Sequence, residues 1–137
     1  MFAMRLERVE PMGDSNGPLR PIQIPEPEPP PGLLLVRVSA CGVCHTELDE
    51  IEGRTPPPQL PVIPGHQVVG RVLRCGSGCS TFNPGDRVGV AWFYSSCGLC
   101  TYCTSGRENL CPSFKATGRD ADGGYAELMV VPETSAY

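Results

Sequence analysis

"LLLVRVSACGVCHTELDEIEG", residues 33–53, changes its periodicity halfway along. Leu33 to Ala40 is apolar and β-branched, with Arg37 and Ser39 alternating outward near its end, which predicts a strand. From His45 to Gly53 carboxylates and apolar residues recur at near-helical spacing, and Gly53 closes the run, which predicts a short helical turn. Cys41 and Cys44 lie at the change of period. A strand that runs straight into such a turn would hold Cys44 and Thr46 firmly at the junction.

Outward from this stretch, "VVGRVLRCG" (68–76) and "GDRVGVAWF" (85–93) read as two more strands, joined by the turn-rich "SGCSTFNPGD" (77–86), and "GGYAELMVVP" (123–132) supplies another. The chain carries 16 glycines and 16 prolines in 137 residues, far above their combined average of roughly 12%. Such a density of breakers favours short strands and turns over long helices. Seven of the prolines fall between Pro18 and Pro31, a semi-rigid extended path that reads as a surface connector, with a proline-rich ligand for a binding groove as the alternative. Fold class is therefore mainly β, in one domain covering residues 1–137.

Charge narrows the function classes. The formal net charge is −4, and no run of Lys or Arg forms the basic footprint that nucleic acid or an anionic membrane would need. A zinc-ribbon nucleic-acid binder is disfavoured for the same reason. No stretch of about 18 apolar residues exists, and the first residues lack a signal-type apolar core, so a cytoplasmic protein is expected. The glycines of "CGSGCS" (75–80) fall short of a dinucleotide fingerprint, so this stretch predicts no cofactor fold of its own.

Eight cysteines in a reducing compartment point to metal rather than to disulfides. Cys97, Cys100, Cys103 and Cys111 form a C-x2-C-x2-C-x7-C run inside the segment 92–113. Four thiolates at these separations can close around one tetrahedral ion with bonds of about 2.3 Å, leaving no open position, as structural zinc requires. Reduced or paired thiols and an iron centre are the alternatives that spacing leaves open. A second candidate pairs Cys44 with His66 of "PVIPGHQVVGRV" (61–72), since thiolate and neutral imidazole are both good zinc ligands.

In this order, "CGVCHTELD", "PVIPGHQVVGRV", "GDRVGVAW", the four cysteines and "DGGYAELMVVP" resemble the N-terminal, GroES-like catalytic domain of the zinc-dependent medium-chain alcohol dehydrogenases, over nearly the whole chain from Pro18 onward. The resemblance implies a GroES-like, partly open β-barrel with a short helix and a zinc-binding lobe. It makes Cys44 and His66 ligands of a catalytic zinc and Cys97, Cys100, Cys103 and Cys111 ligands of a structural one. Cys41 becomes a buried neighbour, Thr46 the hydroxyl that takes the alcohol's proton, and His45 a contact to the cofactor pyrophosphate. Trp92 becomes a wall of the substrate pocket, where an indole favours an apolar small-molecule alcohol or aldehyde. Cys75 and Cys79 have no assigned role.

The sequence departs from the family at three places. Gln67 stands where an acid usually follows the zinc-binding histidine, so it is expected behind the metal as a neutral hydrogen-bonding partner that holds the ion less well. Asp49 occupies the position of a relay histidine, and it also fits an ordinary solvated acid. Finally, family members carry a third zinc ligand, a Rossmann domain for NAD or NADP and a return segment beyond the position of Tyr137. The chain is thus expected to be the N-terminal portion of an NAD(P)-linked alcohol dehydrogenase, inactive alone, with a Rossmann domain or a homologous subunit as partner. The alternative is a non-catalytic zinc-binding module that docks with a partner.

Overall fold

The computed structural model describes residues 1–13 and 17–137. Its centre is an antiparallel four-stranded sheet ordered β5-β4-β3-β8, built from β3 (Leu33–Cys41), β4 (Val68–Cys75), β5 (Arg87–Val90) and β8 (Leu128–Pro132). Alternation along these strands places Leu34, Val36, Val68, Val72, Val88, Val90, Met129 and Val131 on one face, where they form the main core. β3 lies between β4 and β8, and its register with β4 shifts twice: Leu73 is the extra residue on β4 opposite Leu35 and Val36, and Ser39 is the extra residue on β3 between Val38 and Ala40. The second of these bulges adds a local twist and bends β3 as it approaches the cysteines.

β1 (Phe2–Leu6) and β2 (Leu19–Gln23) make a separate two-stranded sheet, and β6 (Phe93–Ser95) pairs with β7 (Lys115–Ala116) in a third. Isolated bridges, Ala3 to Ala126, Leu6 to Val62 and Val90 to Ala136, tie the layers together. The result is mainly β, with an open rather than closed arrangement of strands, as expected.

Three expectations need correction. The connector over 18–31 begins as a strand: Leu19–Gln23 pairs with Phe2–Leu6, and Pro21 stands opposite Met4 in a two-stranded sheet where its missing amide costs no central ladder bond. The run 85–93 is two strands, because the chain leaves β4 after the Val68–Val90 pair and Trp92 offers its carbonyl to the Thr117 amide of another sheet. The run 123–132 is a strand only from Leu128, because the amides of Gly123, Gly124 and Tyr125 donate instead to the carbonyls of Ile63, Gly65 and Pro64.

The single α-helix among the described residues, α1 (His45–Glu52), ends at Gly53 in the left-handed conformation, φ 84°. Its buried face carries Glu47, Glu50 and Ile51, and Ile51 packs with Leu6 and Val62 in a second small core.

Candidate metal centres

The first centre is built by the start of α1. Cys44 is the helix N-cap: its sulfur accepts the Thr46 amide at 3.3 Å, and its own amide donates to Glu47 Oε2 at 2.9 Å, a reciprocal capping box. The cap fixes both side chains. Glu47, only 1% exposed, then reaches across to His66, placing Oε1 2.8 Å from Nδ1. A carboxylate only accepts, so this contact is attractive when Nδ1 carries a proton, which leaves the Nε2 lone pair facing Cys44 Sγ at 3.5 Å.

His66 is delivered by a tight segment. Gly65 has φ 99°, and a Cβ there would lie 2.6 Å from the Tyr125 ring and 2.8 Å from Cys41 Sγ. Glycine is required on both counts. The amide of Gly124 clamps the Gly65 carbonyl at 2.8 Å, and the Trp92 ring meets the imidazole edge-on with centroids 4.9 Å apart. Beyond His66 and Trp92 opens a cleft of about 570 Å³ walled also by Val69, Gly89 and Tyr137.

The other residues read from the sequence occupy less enclosed positions. Thr46 is half-buried in the first turn of α1, while the His45 ring is exposed. Asp49 lies on the outer part of the helix, held by Arg54 and 3.5 Å from His45 Nε2. Gln67 is exposed, its carbonyl accepts the Gly42 amide at 2.8 Å, and its side chain lies over Gly42, where an added Cβ would be 2.5 Å from Oε1. The group found against His66 is therefore Glu47, which the sequence reading missed. Its trace was present in the spacing C-x-x-E, a capping pattern that puts the acid on the inner side of the first turn. Cys41 turns its sulfur toward Gly65 and Gly124, and burial pushes that thiol up.

The second centre lies between β6 and β7. The sulfurs of Cys97, Cys100, Cys103 and Cys111 all lie within 4.8 Å of one another, with Cys97 to Cys103 at 3.9 Å and Cys100 to Cys103 at 3.6 Å. Amides point at these sulfurs: Cys100 N donates to Cys97, and Cys97 N and Ser113 N donate to Cys111. The amides of Leu99 and Cys100 pull the Cys97 thiol down to about 6, a value at which thiolate predominates near neutrality. Cys75 and Cys79 stand apart, packed on the main core with thiols pushed up by burial.

The four thiols fit a tetrahedral zinc ion, and the Cys44–His66 pair fits two of the four positions of another. Bonds of about 2.3 Å to sulfur and 2.0–2.1 Å to nitrogen imply S···S edges of roughly 3.8 Å and S···N edges of roughly 3.6 Å. The separations of 3.6, 3.9 and 3.5 Å lie close to these values.

Residues 30–137 match the family model described as the alcohol dehydrogenase GroES-like domain. The chain belongs to this family. It is 48% identical over its full length to a protein of Mycobacterium tuberculosis described as a probable alcohol dehydrogenase, AdhA, of which it spans 40%. Against an alcohol dehydrogenase of Geobacillus stearothermophilus the identity is 49% over 79% of this GroES-like chain and 33% of the relative. A cobalt- and zinc-bound thermostable alcohol dehydrogenase from Pyrobaculum aerophilum superposes with a TM-score of 0.83 at 31% identity, over 97% of this chain and 40% of that one. The GroES-like domain described here thus spans 40% or less of the length of these alcohol dehydrogenases.

Proposed function

We propose that the chain is the substrate-side catalytic domain of a zinc-dependent, NAD(P)-linked alcohol dehydrogenase that interconverts a primary or secondary alcohol and its aldehyde or ketone. The observation that carries this reading is the Cys44–His66 pair, set 3.5 Å apart, with the imidazole lining an apolar cleft and a buried carboxylate behind it. Cys44 and His66 would hold a catalytic zinc, and Cys97, Cys100, Cys103 and Cys111 a structural one. Zinc at the first site supplies Lewis acidity toward an alcohol or carbonyl oxygen, and a nicotinamide supplies the hydride acceptor or donor.

The chain's own residues do the rest. Glu47 orients the imidazole and raises its basicity as a ligand. Thr46 stands in the turn next to Cys44, where its hydroxyl can accept the alcohol's proton and pass it outward past His45 and Asp49. Trp92 and Val69 make the cleft wall apolar, which excludes water and favours hydrocarbon substituents on the substrate. His45, exposed at the N-terminus of α1, would meet a cofactor phosphate.

Zinc content per chain tests this directly. Metal mass spectrometry on the longer dehydrogenase, which carries the third ligand, should find two zinc ions per chain in the wild type, one in His66→Ala and one in Cys97→Ser, and His66→Ala should also lose alcohol-dependent reduction of NAD or NADP. Unchanged zinc in His66→Ala would rule the first site out.

A further inference from the structure

The ion pairs between described residues engage Arg5, Arg8, Arg54, Arg74 and Arg119 with carboxylates. Arg37, Arg71 and Arg87 are in none of them. These three arginines stand directly opposite one another on consecutive strands: Arg37 faces Arg71 across β3 and β4, and Arg71 faces Arg87 across β4 and β5. Opposed residues of antiparallel strands project from the same face, and neighbouring strands lie about 4.8 Å apart, so the row spans about 10 Å. All three residues are exposed, on the face opposite the main core.

Like charges directly opposite each other destabilise a sheet. Here the penalty is incurred twice, side by side, in a chain whose net charge is −4. Glu26 and Glu127 share a hollow with Arg37, but Glu26 pairs with Arg74, Glu127 accepts the Phe2 amide and Asp86 the Asn83 amide, and among the described residues none of these acids forms an ion pair with the three arginines. Arg71 Nη1 donates to the Gly85 carbonyl at 2.9 Å, which aims that guanidinium toward the start of β5 and Arg87. The neighbouring positions on this face, Val69 and Gly89, carry no charge, so the row has sharp limits.

We propose that Arg37, Arg71 and Arg87 form a binding surface for an oligophosphate group laid across β3, β4 and β5. A guanidinium fork matches phosphate oxygens in pairs, and three forks in line suit an anion with several linked phosphates, whereas a monoanion would answer only one of them. An acidic peptide fits less well, because carboxylates two residues apart on an extended chain are separated by about 6.8 Å, wider than the strand spacing. The row adjoins the cleft beside His66 through Val69 and Gly89 but includes none of the candidate metal ligands, and its phosphate chemistry does not depend on the dehydrogenase reading.

Titration of the zinc-loaded chain with sodium tripolyphosphate and with ATP, followed by calorimetry and amide chemical shifts at constant ionic strength, tests the proposal. Saturable tripolyphosphate binding is expected, with shifts confined to β3, β4 and β5, weakened at least tenfold in Arg71→Gln and in Arg87→Gln. The unliganded Arg71→Gln chain should melt no lower than the wild type, since the substitution removes two repulsive pairs. ATP binding more tightly than tripolyphosphate would identify a nucleotide as the source of the phosphates, and ATP binding equally or more weakly would identify a free oligophosphate. Absence of saturable tripolyphosphate binding, or binding unchanged in both variants, would overturn the proposal, as would polyglutamate occupying the row when tripolyphosphate does not.

Discussion

Glu47 and Glu50 sit three residues apart on the buried side of one helix, yet their surroundings give them different tasks. Glu47 Oε2 accepts the Cys44 amide and Oε1 lies 2.8 Å from His66 Nδ1, whereas neither carboxylate oxygen of Glu50 has a hydrogen-bonding or ionic partner in a site only 1% exposed. Burial, reinforced by the Glu47 charge, pushes the Glu50 carboxyl up to about 8 from its ordinary 4.5. The unfolded chain releases this proton above pH 4.5 while the folded chain keeps it to about 8, so the folded state binds more protons across that window. Stability therefore falls as pH rises from 4.5 toward 8, by on the order of 3 kcal/mol at pH 7. Glu50→Gln should flatten this slope: urea unfolding at pH 5 and pH 8 should give a much smaller difference for the variant than for the wild type. Glu47→Gln belongs to the same scale with a different readout. It keeps an acceptor for the Cys44 amide but weakens the hold on the imidazole, and chelator competition should show zinc at the first centre bound about 10–100-fold more weakly.

At the scale of the element, the start of α1 combines a helix cap with the proposed metal ligand in one sulfur. Cys44→Ser should separate these roles. Serine is a stronger N-cap than cysteine, so the metal-free variant should unfold within about 1 kcal/mol of the wild type, while the longer dehydrogenase carrying it loses one zinc per chain. Cys44→Ala should lose the zinc and also about 1 kcal/mol of helix stability, measured by denaturant unfolding of the metal-free proteins. The segment that delivers His66 is equally constrained. Gly65→Ala forces a Cβ into the Tyr125 ring and the Cys41 sulfur at a positive φ, and a destabilisation of about 2 kcal/mol or more is expected by thermal or urea unfolding.

The whole molecule divides into a valine- and leucine-rich sheet that supports itself and a cysteine lobe that has little apolar burial. In the segment 96–111, Cys111 is the one buried residue, and Leu99 and Leu110 are 87% and 52% exposed. Zinc held at the proposed four-cysteine site would supply the folding energy that such a loop lacks. Removal of metal by a chelator should therefore raise amide hydrogen exchange throughout 96–113 while β3, β4 and β5 keep their protection. Loss of protection across the sheet at the same chelator concentration would show that the lobe and the core fold as one unit.

The sequence by itself determined which segments are strands and helix wherever a period is local: Leu33–Cys41, His45–Glu52 and Val68–Cys75 were legible because apolar alternation, a cap and a terminal glycine act over a few residues. It also determined the cysteine lobe, because four ligands within 15 residues can meet without help from the rest of the chain. The strand Phe2–Leu6, the break at Ala91–Trp92 and the late start of β8 were not legible, since each is decided by hydrogen bonds to a distant partner. The same limit governs the first centre. Cys44 and His66 were candidates by residue type, but only the tertiary structure decided that Glu47 rather than Gln67 stands behind the imidazole. The reason is geometric: adjacent residues on an extended chain point to opposite sides, so the residue after His66 turns away over Gly42, while the cap that fixes Cys44 turns Glu47 inward.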